Sequence, residues 1–295
     1  MSEPWQHFYQ SQRLRLSYWT WGDAANPPLV LLHGGRDHAR SWDGFAEAFR
    51  DDYHVIAADL RGHGDSEYAQ GSLYGLPEHS LDLHALIQLV GGRATVVGHS
   101  FGGAIALLTA GMFPECFDRI VALEGAGARM NDHPDEVTPR QLREWALQTR
   151  SFEQHTPRVY PTIEEARDRM RDANPQLTLE MAMHLARWGT HGIDGGYVWK
   201  FDPWVRGRTP IEVRGEDMER LWAAITCPVL HMIGEKSQQR REDFRGRQLD
   251  SYFADSRTVV VPDAGHWMHH DQPAITVRRA RDFLDEGRVD SEAAS

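Results

Sequence analysis

The stretch Val96-Val97-Gly98-His99-Ser100-Phe101-Gly102-Gly103 decides the fold of this chain. We expect a buried strand, Ala94–Val97, to run through Gly98-x-Ser100-x-Gly102 into a helix that extends from Phe101 to about residue 113. A serine on so sharp a turn is exposed, and a side chain at either glycine would clash with neighbouring backbone. The turn also places the Phe101 N–H at a helix N-terminus, where it can stabilise an oxyanion. Ser100 is therefore a candidate nucleophile.

Strands and helices alternate on both sides of this turn. Short apolar runs bounded by turn residues predict strands, and 3.6-residue spacing predicts the helices between them. The predicted strands are Leu14–Trp19 (an edge strand), Pro28–Leu32, His54–Ala58, Ile120–Leu123, Val229–Ile233 and Thr258–Val261, and the predicted helices are Ser41–Phe49, Leu76–Val90, Arg240–Tyr252 and Ala274–Glu286. This alternation predicts an α/β protein with a mostly parallel central sheet flanked by helices.

The alternation stops between residues 127 and 215. Three helical pieces are predicted there, Pro139–Thr149, Ile163–Ala173 and Leu179–Trp188, followed by a loop, Gly195–Trp204. A helical cap inserted between two strands fits this pattern, which leaves residues 1–126 and 216–295 as the core. Trp199 and Trp204 follow two glycines and are candidate walls of a pocket for a modest-sized hydrophobic group. The alternative is that these rings only pack the cap onto the core.

Composition excludes several classes of partner. The formal net charge of −11 disfavours nucleic acid and anionic membranes, which would be repelled. Cys116 and Cys227 have no metal-ligand spacing and are expected to be buried free thiols. No signal peptide is visible, and no run approaches the roughly 18–20 apolar residues of a membrane span. These features predict a cytoplasmic protein that acts on a small molecule.

A serine nucleophile needs a base, and His266 is the expected one because it lies between the last strand and the last helix. His99 adjoins Ser100 and would point away from it. His269 and His270, with Asp271, match no known ligand spacing. We expect these three histidines to be structural, and the chain to hold no metal or cofactor.

The carboxylate that orients the base is harder to assign. In this architecture it usually follows the strand after the cap, in a G-x-x-D pattern, but Gly234-Glu235-Lys236-Ser237 has a serine there. Glu124, at the end of the strand before the cap, is favoured because carboxyl ends of parallel strands line the ligand crevice. Glu235 and Asp243 are the alternatives. Glu124 could instead form a salt bridge with an arginine of the cap.

The second oxyanion donor should come from the loop after the first buried strand. Gly35 is the expected N–H there, with Gly34 as an alternative. His33 is expected to be a structural hydrogen-bonding residue. Asp59–Ser66 is typical of a tight polar turn with a structural role.

Together these motifs resemble the α/β-hydrolase superfamily, in its serine-nucleophile branch with a lid. The motifs, in chain order, are His33-Gly34-Gly35, Asp59–Ser66, Gly98-x-Ser100-x-Gly102-Gly103 and Gly265-His266. Some haloalkane dehalogenases of this superfamily place a glutamate acid at the end of the strand before the lid, which Glu124 resembles. The nucleophile of those enzymes and of epoxide hydrolases is an aspartate, so Ser100 argues against both activities.

The expected reaction is hydrolysis of a carboxylic ester through an acyl-enzyme, with Ser100, His266 and Glu124 as the triad. The same triad could serve a hydrolase of carbon–carbon bonds in diketones, a lactonase or a thioesterase. A ligand-binding protein that keeps the triad but signals through lid closure is a further alternative.

Overall fold

Eight strands of the described chain form one central sheet, and two more form a hairpin. The computed structural model describes residues 3–71, 74–125, 138–207, 213, 215–237 and 247–286. The strands are β1 (Trp5–Ser11), β2 (Leu14–Trp21), β3 (Pro28–Leu32), β4 (His54–Ala58), β5 (Ala94–His99), β6 (Phe117–Leu123), β7 (Thr190–Ile193), β8 (Gly196–Trp199), β9 (Val229–Gly234) and β10 (Ser256–Val261). The sheet order is β1-β2-β4-β3-β5-β6-β9-β10, and neighbouring strands are parallel from β4 to β10. The predicted α/β class is confirmed.

The described helices either flank this sheet or lie between β6 and β9 in the chain. They are α1 (Asp43–Phe49), α2 (Leu76–Leu89), α3 (Phe101–Met112), α4 (Pro139–Phe152), α5 (Ile163–Ala173), α6 (Leu179–Gly189), α7 (Gly215–Ala223), α8 (Met268–Asp271) and α9 (Pro273–Asp285). Val96 of β5 packs in an apolar cluster with Ile105 of α3. The next residue, Val97, packs in a cluster with Phe45 of α1 and Phe283 of α9. Because successive side chains point to opposite faces, both faces are covered and the inner strands are continuous apolar runs.

The prediction that Leu14–Trp19 is an edge strand is wrong. This stretch belongs to β2, which pairs with β1 on one side and β4 on the other, and β1 is the edge. Gln12 and Arg13 form the turn between β1 and β2 at φ values of 48° and 70°. Neither residue is a glycine, so the sequence does not reveal this hairpin.

Residues 138–207, named the cap segment here, follow β6 and precede β9 in the chain. Its helices α4, α5 and α6 agree with the prediction, and each begins at a threonine whose side chain accepts a backbone N–H. The predicted loop Gly195–Trp204 is wrong in part, because Gly196–Trp199 forms β8 and pairs with β7. Gly195 and Gly196 make the hairpin turn at positive φ.

Hydrogen bonds attach the cap segment to the core. The backbone N–H of Gly64 donates to the Lys200 carbonyl and that of Asp202 donates to the Gly62 carbonyl, both at 2.8 Å. The buried Tyr74 hydroxyl also donates to the Asp202 carboxylate. The cap segment therefore lies over the turns at the carboxyl end of β4.

Three further predictions concern cysteines, a helix and membrane spans. Cys116 and Cys227 are buried free thiols, as predicted. The predicted helix Arg240–Tyr252 lies partly outside the described residues, and its described end forms a 3-10 turn, Leu249–Tyr252. Among the described helices, none combines the length and the apolarity that crossing a bilayer would require.

Candidate active site

The turn between β5 and α3 holds Ser100 in a strained conformation. Its φ is 50° and its ψ is −112°, a region that non-glycine residues rarely occupy outside functional sites. The Ser100 N–H donates to the Leu123 carbonyl of β6 at 2.8 Å, which ties the turn to the neighbouring strand. A Cβ on Gly98 would lie 2.5 Å from the Gly102 carbonyl oxygen, and one on Gly102 would lie 2.4 Å from the Leu32 oxygen. The backbone thus requires glycine at both positions, as the sequence predicts.

The two expected oxyanion donors line one cavity. A cavity of about 390 Å³ is bordered by Gly35 and by Phe101, the first residue of α3. A Cβ on Gly34 would lie 3.4 Å from the Ser100 Cβ, so the loop that contains Gly34 and Gly35 passes directly beside the serine. The arrangement can present two backbone N–H groups to an oxygen that develops charge near Ser100.

Glu124 lies against the ring of His266. It follows β6 directly, at a φ of 56°, and its side chain is fully buried. One carboxylate oxygen, Oε2, is 3.4 Å from His266 Nδ1. The other, Oε1, accepts a 2.7 Å hydrogen bond from the Gly234 N–H. A buried carboxylate fixed in this way can set the tautomer of the imidazole and stabilise its protonated form.

Ser237 occupies the position where the acid was expected from the family pattern, and it supports Glu124 instead. Its hydroxyl donates to Glu124 Oε2 at 2.7 Å. Glu235 is exposed, and its carboxylate accepts from the Asp263 N–H at 3.0 Å. The other alternative, Asp243, lies outside the described residues. Of the described candidates, the structure brings Glu124 to His266.

His99 holds the loop that carries His266. Its Nε2 lies 2.8 Å from the His266 carbonyl oxygen, and its ring centroid is 4.9 Å from that of His266. Burial lowers the pKa of His99 well below its usual range, so the ring is neutral and Nε2–H donates to the carbonyl. His33 is also buried, and its Nε2 accepts from the Leu60 N–H, as expected for a structural histidine.

His269 and His270 lie close to Asp37, a residue from the N-terminal part of the chain. Potential ligand atoms of Asp37, His269 and His270 lie within 4.8 Å of one another, and these are the described residues that could hold a transition metal. Asp271, which the sequence places beside the histidines, instead accepts from the Gly265 N–H at 2.9 Å. Asp37 could not be anticipated because it belongs to the loop after β3. Hydrolysis by a serine nucleophile needs no metal ion.

Comparisons with known proteins show the family of this chain. A sequence model described as "Alpha/beta hydrolase family" matches residues 29–279. The chain belongs to the α/β-hydrolase family. The hydrolase is 24% identical to "Serine hydrolase-like protein" of Danio rerio, over 90% of this chain and 83% of that protein. It is 26% identical to "Esterase Rv0045c" of Mycobacterium tuberculosis, over 90% and 85% of the two chains.

Two further relatives show how widely activities differ among similar chains. "Epoxide hydrolase 4" of Mus musculus is 26% identical over 92% of the hydrolase and 77% of its own length. The solved "Thioesterase Domain From Curacin Biosynthetic Pathway" superposes with a TM-score of 0.84 at 22% identity, covering 94% of the hydrolase and 98% of that domain. These likenesses support the fold and the class of hydrolases.

A second cavity, of about 210 Å³, lies between the Gly35 loop of the hydrolase and the cap segment. Trp199 lines it, together with Tyr160 and Phe201. Trp204 lies outside the linings of the cavities described here, and its ring centroid is 6.1 Å from that of Phe152. Trp204 belongs to a 3-10 turn that packs on α4. The sequence does not distinguish this turn from an irregular loop.

Arginines also line this second cavity, and sequence analysis missed them. They are Arg36, Arg169 and Arg206. They come from three separate stretches of the chain, and no local pattern links them. The pocket is therefore more cationic than the hydrophobic pocket that the aromatic residues suggested.

Proposed function

We propose that this hydrolase cleaves carboxylic esters of small molecules through a covalent acyl-enzyme. The observation that carries the proposal is the pair formed by His266 and the buried Glu124, which follows β6, the strand next to the one that ends at the strained Ser100. A neutral imidazole oriented by a carboxylate is the base that a serine hydroxyl requires at neutral pH. The similarity to an esterase and to serine hydrolase-like proteins supports the same reaction class.

In the proposed mechanism, His266 accepts the Ser100 proton as the hydroxyl oxygen attacks the ester carbonyl. The Phe101 and Gly35 N–H groups stabilise the resulting oxyanion, and removal of one such donor typically costs about 10²–10³ in kcat. His266 then protonates the leaving alcohol, which leaves Ser100 acylated. Water then gives a proton to the same imidazole as it attacks the acyl carbonyl. The bond from that carbonyl to the Ser100 oxygen breaks, the imidazolium returns the proton to the serine, and the carboxylic acid leaves. Glu124 stabilises the imidazolium in both halves of the reaction.

The proposal assigns different tasks to the two parts of the chain. Residues 1–126 and 216–295 would supply the chemistry, and the cap, residues 127–215, would close the pocket over the substrate. The Lys200 carbonyl accepts from a turn of the core and the Asp202 N–H donates to the same turn, and these two hydrogen bonds support this division. The net charge of −11 supports a small molecule rather than a nucleic acid as the substrate.

The direct test is to replace the nucleophile. Ser100→Ala should abolish turnover of short p-nitrophenyl esters and prevent the labelling of one site by a fluorophosphonate, detected by intact-protein mass spectrometry. Ser151→Ala, an exposed serine of α4, is the matched control and should keep both properties. Full turnover by Ser100→Ala would contradict the proposal. Turnover of a diketone, a lactone or a thioester in preference to esters would keep the triad but change the bond cleaved.

A further inference from the structure

Three arginines surround the cavities beside the nucleophile. Arg36, Arg169 and Arg206 line the cavity of about 210 Å³, and Arg36 and Arg206 also line the 390 Å³ cavity that Gly35 and Phe101 border. Arg169 and Arg206 line a third cavity, of about 280 Å³. Arg36 follows Gly35 in the chain, Arg169 belongs to α5, and Arg206 ends the 3-10 turn Pro203–Arg206. Positive charge thus extends from the expected oxyanion donor into the cap segment.

Among the described residues, these three guanidiniums lack the carboxylate partners that many other arginines have. Within the described residues, no carboxylate lies within 4 Å of Arg36, Arg169 or Arg206. By contrast, carboxylates lie at 2.6–3.0 Å from several other arginines: Arg40, Arg50, Arg61, Arg93, Arg220 and Arg281. Burial lowers the pKa of Arg36, and so do the neighbouring charges of Arg206 and Arg169. The protein as a whole has a net charge of −11, whereas this pocket is lined by three arginines that have no carboxylate within 4 Å among the described residues.

The acidic residue of the same pocket does not neutralise them. Asp37 lines the 210 Å³ cavity, but its carboxylate accepts a 2.9 Å hydrogen bond from the His38 N–H and forms no ion pair with these arginines among the described residues. The rest of the wall is largely apolar and aromatic, including Tyr160, Trp199 and Phe201. The pocket offers cationic groups with apolar surface beside them.

We propose that the substrate of this site carries a free carboxylate in addition to the ester that is cleaved. Guanidinium groups bind carboxylates through paired N–H donors, and the aromatic wall would pack against the carbon chain between the two functional groups. Because Arg36 is next to Gly35, the carboxylate would bind a short distance from the scissile carbonyl. The favoured substrate class is thus a half-ester of a dicarboxylic acid. This inference rests on the proposed function.

The test compares two esters that differ in one charge. The anionic substrate is the mono-p-nitrophenyl ester of adipic acid, and the neutral one is the same compound with its free carboxylate methylated. We expect the wild-type kcat/KM to be at least about tenfold higher for the anionic ester. Arg169→Gln and Arg206→Gln should each reduce that preference roughly tenfold, mainly through KM, since each removes charge-assisted hydrogen bonds. Arg220→Gln, which removes the same charge from the exposed face of α7, should keep the preference.

Binding separates a failure of this inference from a failure of the proposed function. Ser100→Ala protein, titrated by calorimetry with monomethyl adipate, should show saturable binding that Arg169→Gln and Arg206→Gln weaken and that dimethyl adipate does not reproduce. Equal turnover of the two p-nitrophenyl esters by the wild type, with no binding of the monoester, would overturn the carboxylate assignment and leave the esterase intact. Binding of the monoester without any hydrolysis would support the assignment and overturn the esterase.

Discussion

The carboxyl ends of the sheet strands, called the sheet edge below, and the cap segment are packed in different ways. At the sheet edge, backbone lies against backbone: a Cβ on Gly103 would be 2.7 Å from the Gly125 Cα, and one on Gly234 would be 2.3 Å from the Gly265 oxygen. In the cap segment, helix α4 has no fully buried residue. The buried apolar clusters confined to it are small, and they comprise Tyr160, Ala166 and Ala186 in one and Leu177, Ala182 and Leu185 in the other.

This difference matches the tasks that we propose for the two regions. Reacting groups must be held within fractions of an ångström, and rigid strand ends achieve this better than loosely packed helices. Recognition of a substrate can change through side chains at the surface of a cap without disturbing those strand ends. The residues that orient a proton transfer and those that select a substrate are therefore under different physical constraints, and each can be tested by substitution.

The largest effect should come from the buried acid of the sheet edge. Glu124→Gln keeps the shape of the side chain but cannot stabilise the imidazolium of His266, so kcat should fall about 10²–10⁴-fold with little change in KM. Steady-state kinetics with a p-nitrophenyl ester measures this. Glu235→Gln is the matched control, and a similar loss in that variant would show that the acid has been misassigned.

A methyl group should be far more damaging at the sheet edge than in the cap hairpin. Gly102→Ala would place its Cβ 2.4 Å from the Leu32 oxygen, and we expect the free energy of unfolding to fall by about 3 kcal/mol. Gly192→Ala meets no atom within 4 Å, and its effect should stay within about 1 kcal/mol. Urea unfolding measures both. Equal losses would remove the packing contrast between the two regions.

Lowering the pH should destabilise the protein through its buried histidines. Burial lowers the pKa of His38 and His270 to about 3 and that of His231 to about 4, whereas an unfolded histidine titrates near pH 6.5. Only the unfolded chain takes up these protons, so stability that is present above pH 6.5 is lost as the pH falls toward 4. Asp37 and Asp59 act in the opposite sense, because burial raises their pKa to about 7 and about 6.

The histidines outnumber these two carboxyls, since burial also lowers the pKa of His33, His99 and His269. We therefore expect the Tm to fall by at least about 5 °C between pH 7.5 and pH 5, as measured by calorimetry. His231→Phe should reduce this pH dependence. His191→Gln, at an exposed position of the cap hairpin, should leave it unchanged. A Tm that rises on acidification would show that the carboxyls dominate.

The smallest of these effects should follow from Ser237→Ala. This variant removes one hydrogen bond from the Glu124 carboxylate but leaves the carboxylate in place, so kcat should fall by about three- to tenfold. Ser237 is a positioning residue, and Ser237→Thr, which keeps the hydroxyl, should recover most of the loss. A loss as large as that of Glu124→Gln would mean that the serine has a direct part in the reaction.

The sequence predicts well those features that depend on neighbouring residues. Glycine spacing predicts the turn at Ser100. The place of His266 between a strand and a helix, and that of Glu124 at a strand end, make both residues candidates for the proposed triad. Contacts between distant parts of the chain leave no such pattern. The bond between Ser237 and Glu124 and the convergence of Arg36 with Arg206 depend on tertiary packing alone.

The bond between Glu124 and Ser237 also has an evolutionary consequence. The two residues follow adjacent parallel strands, in which Leu123 pairs with Met232. A carboxylate introduced at position 237 would lie beside the Glu124 carboxylate, which now contacts His266. A lineage could therefore move the proposed acid from the end of one strand to the end of the other in two substitutions, through an intermediate sequence that carried both carboxylates and kept a partner for the imidazole.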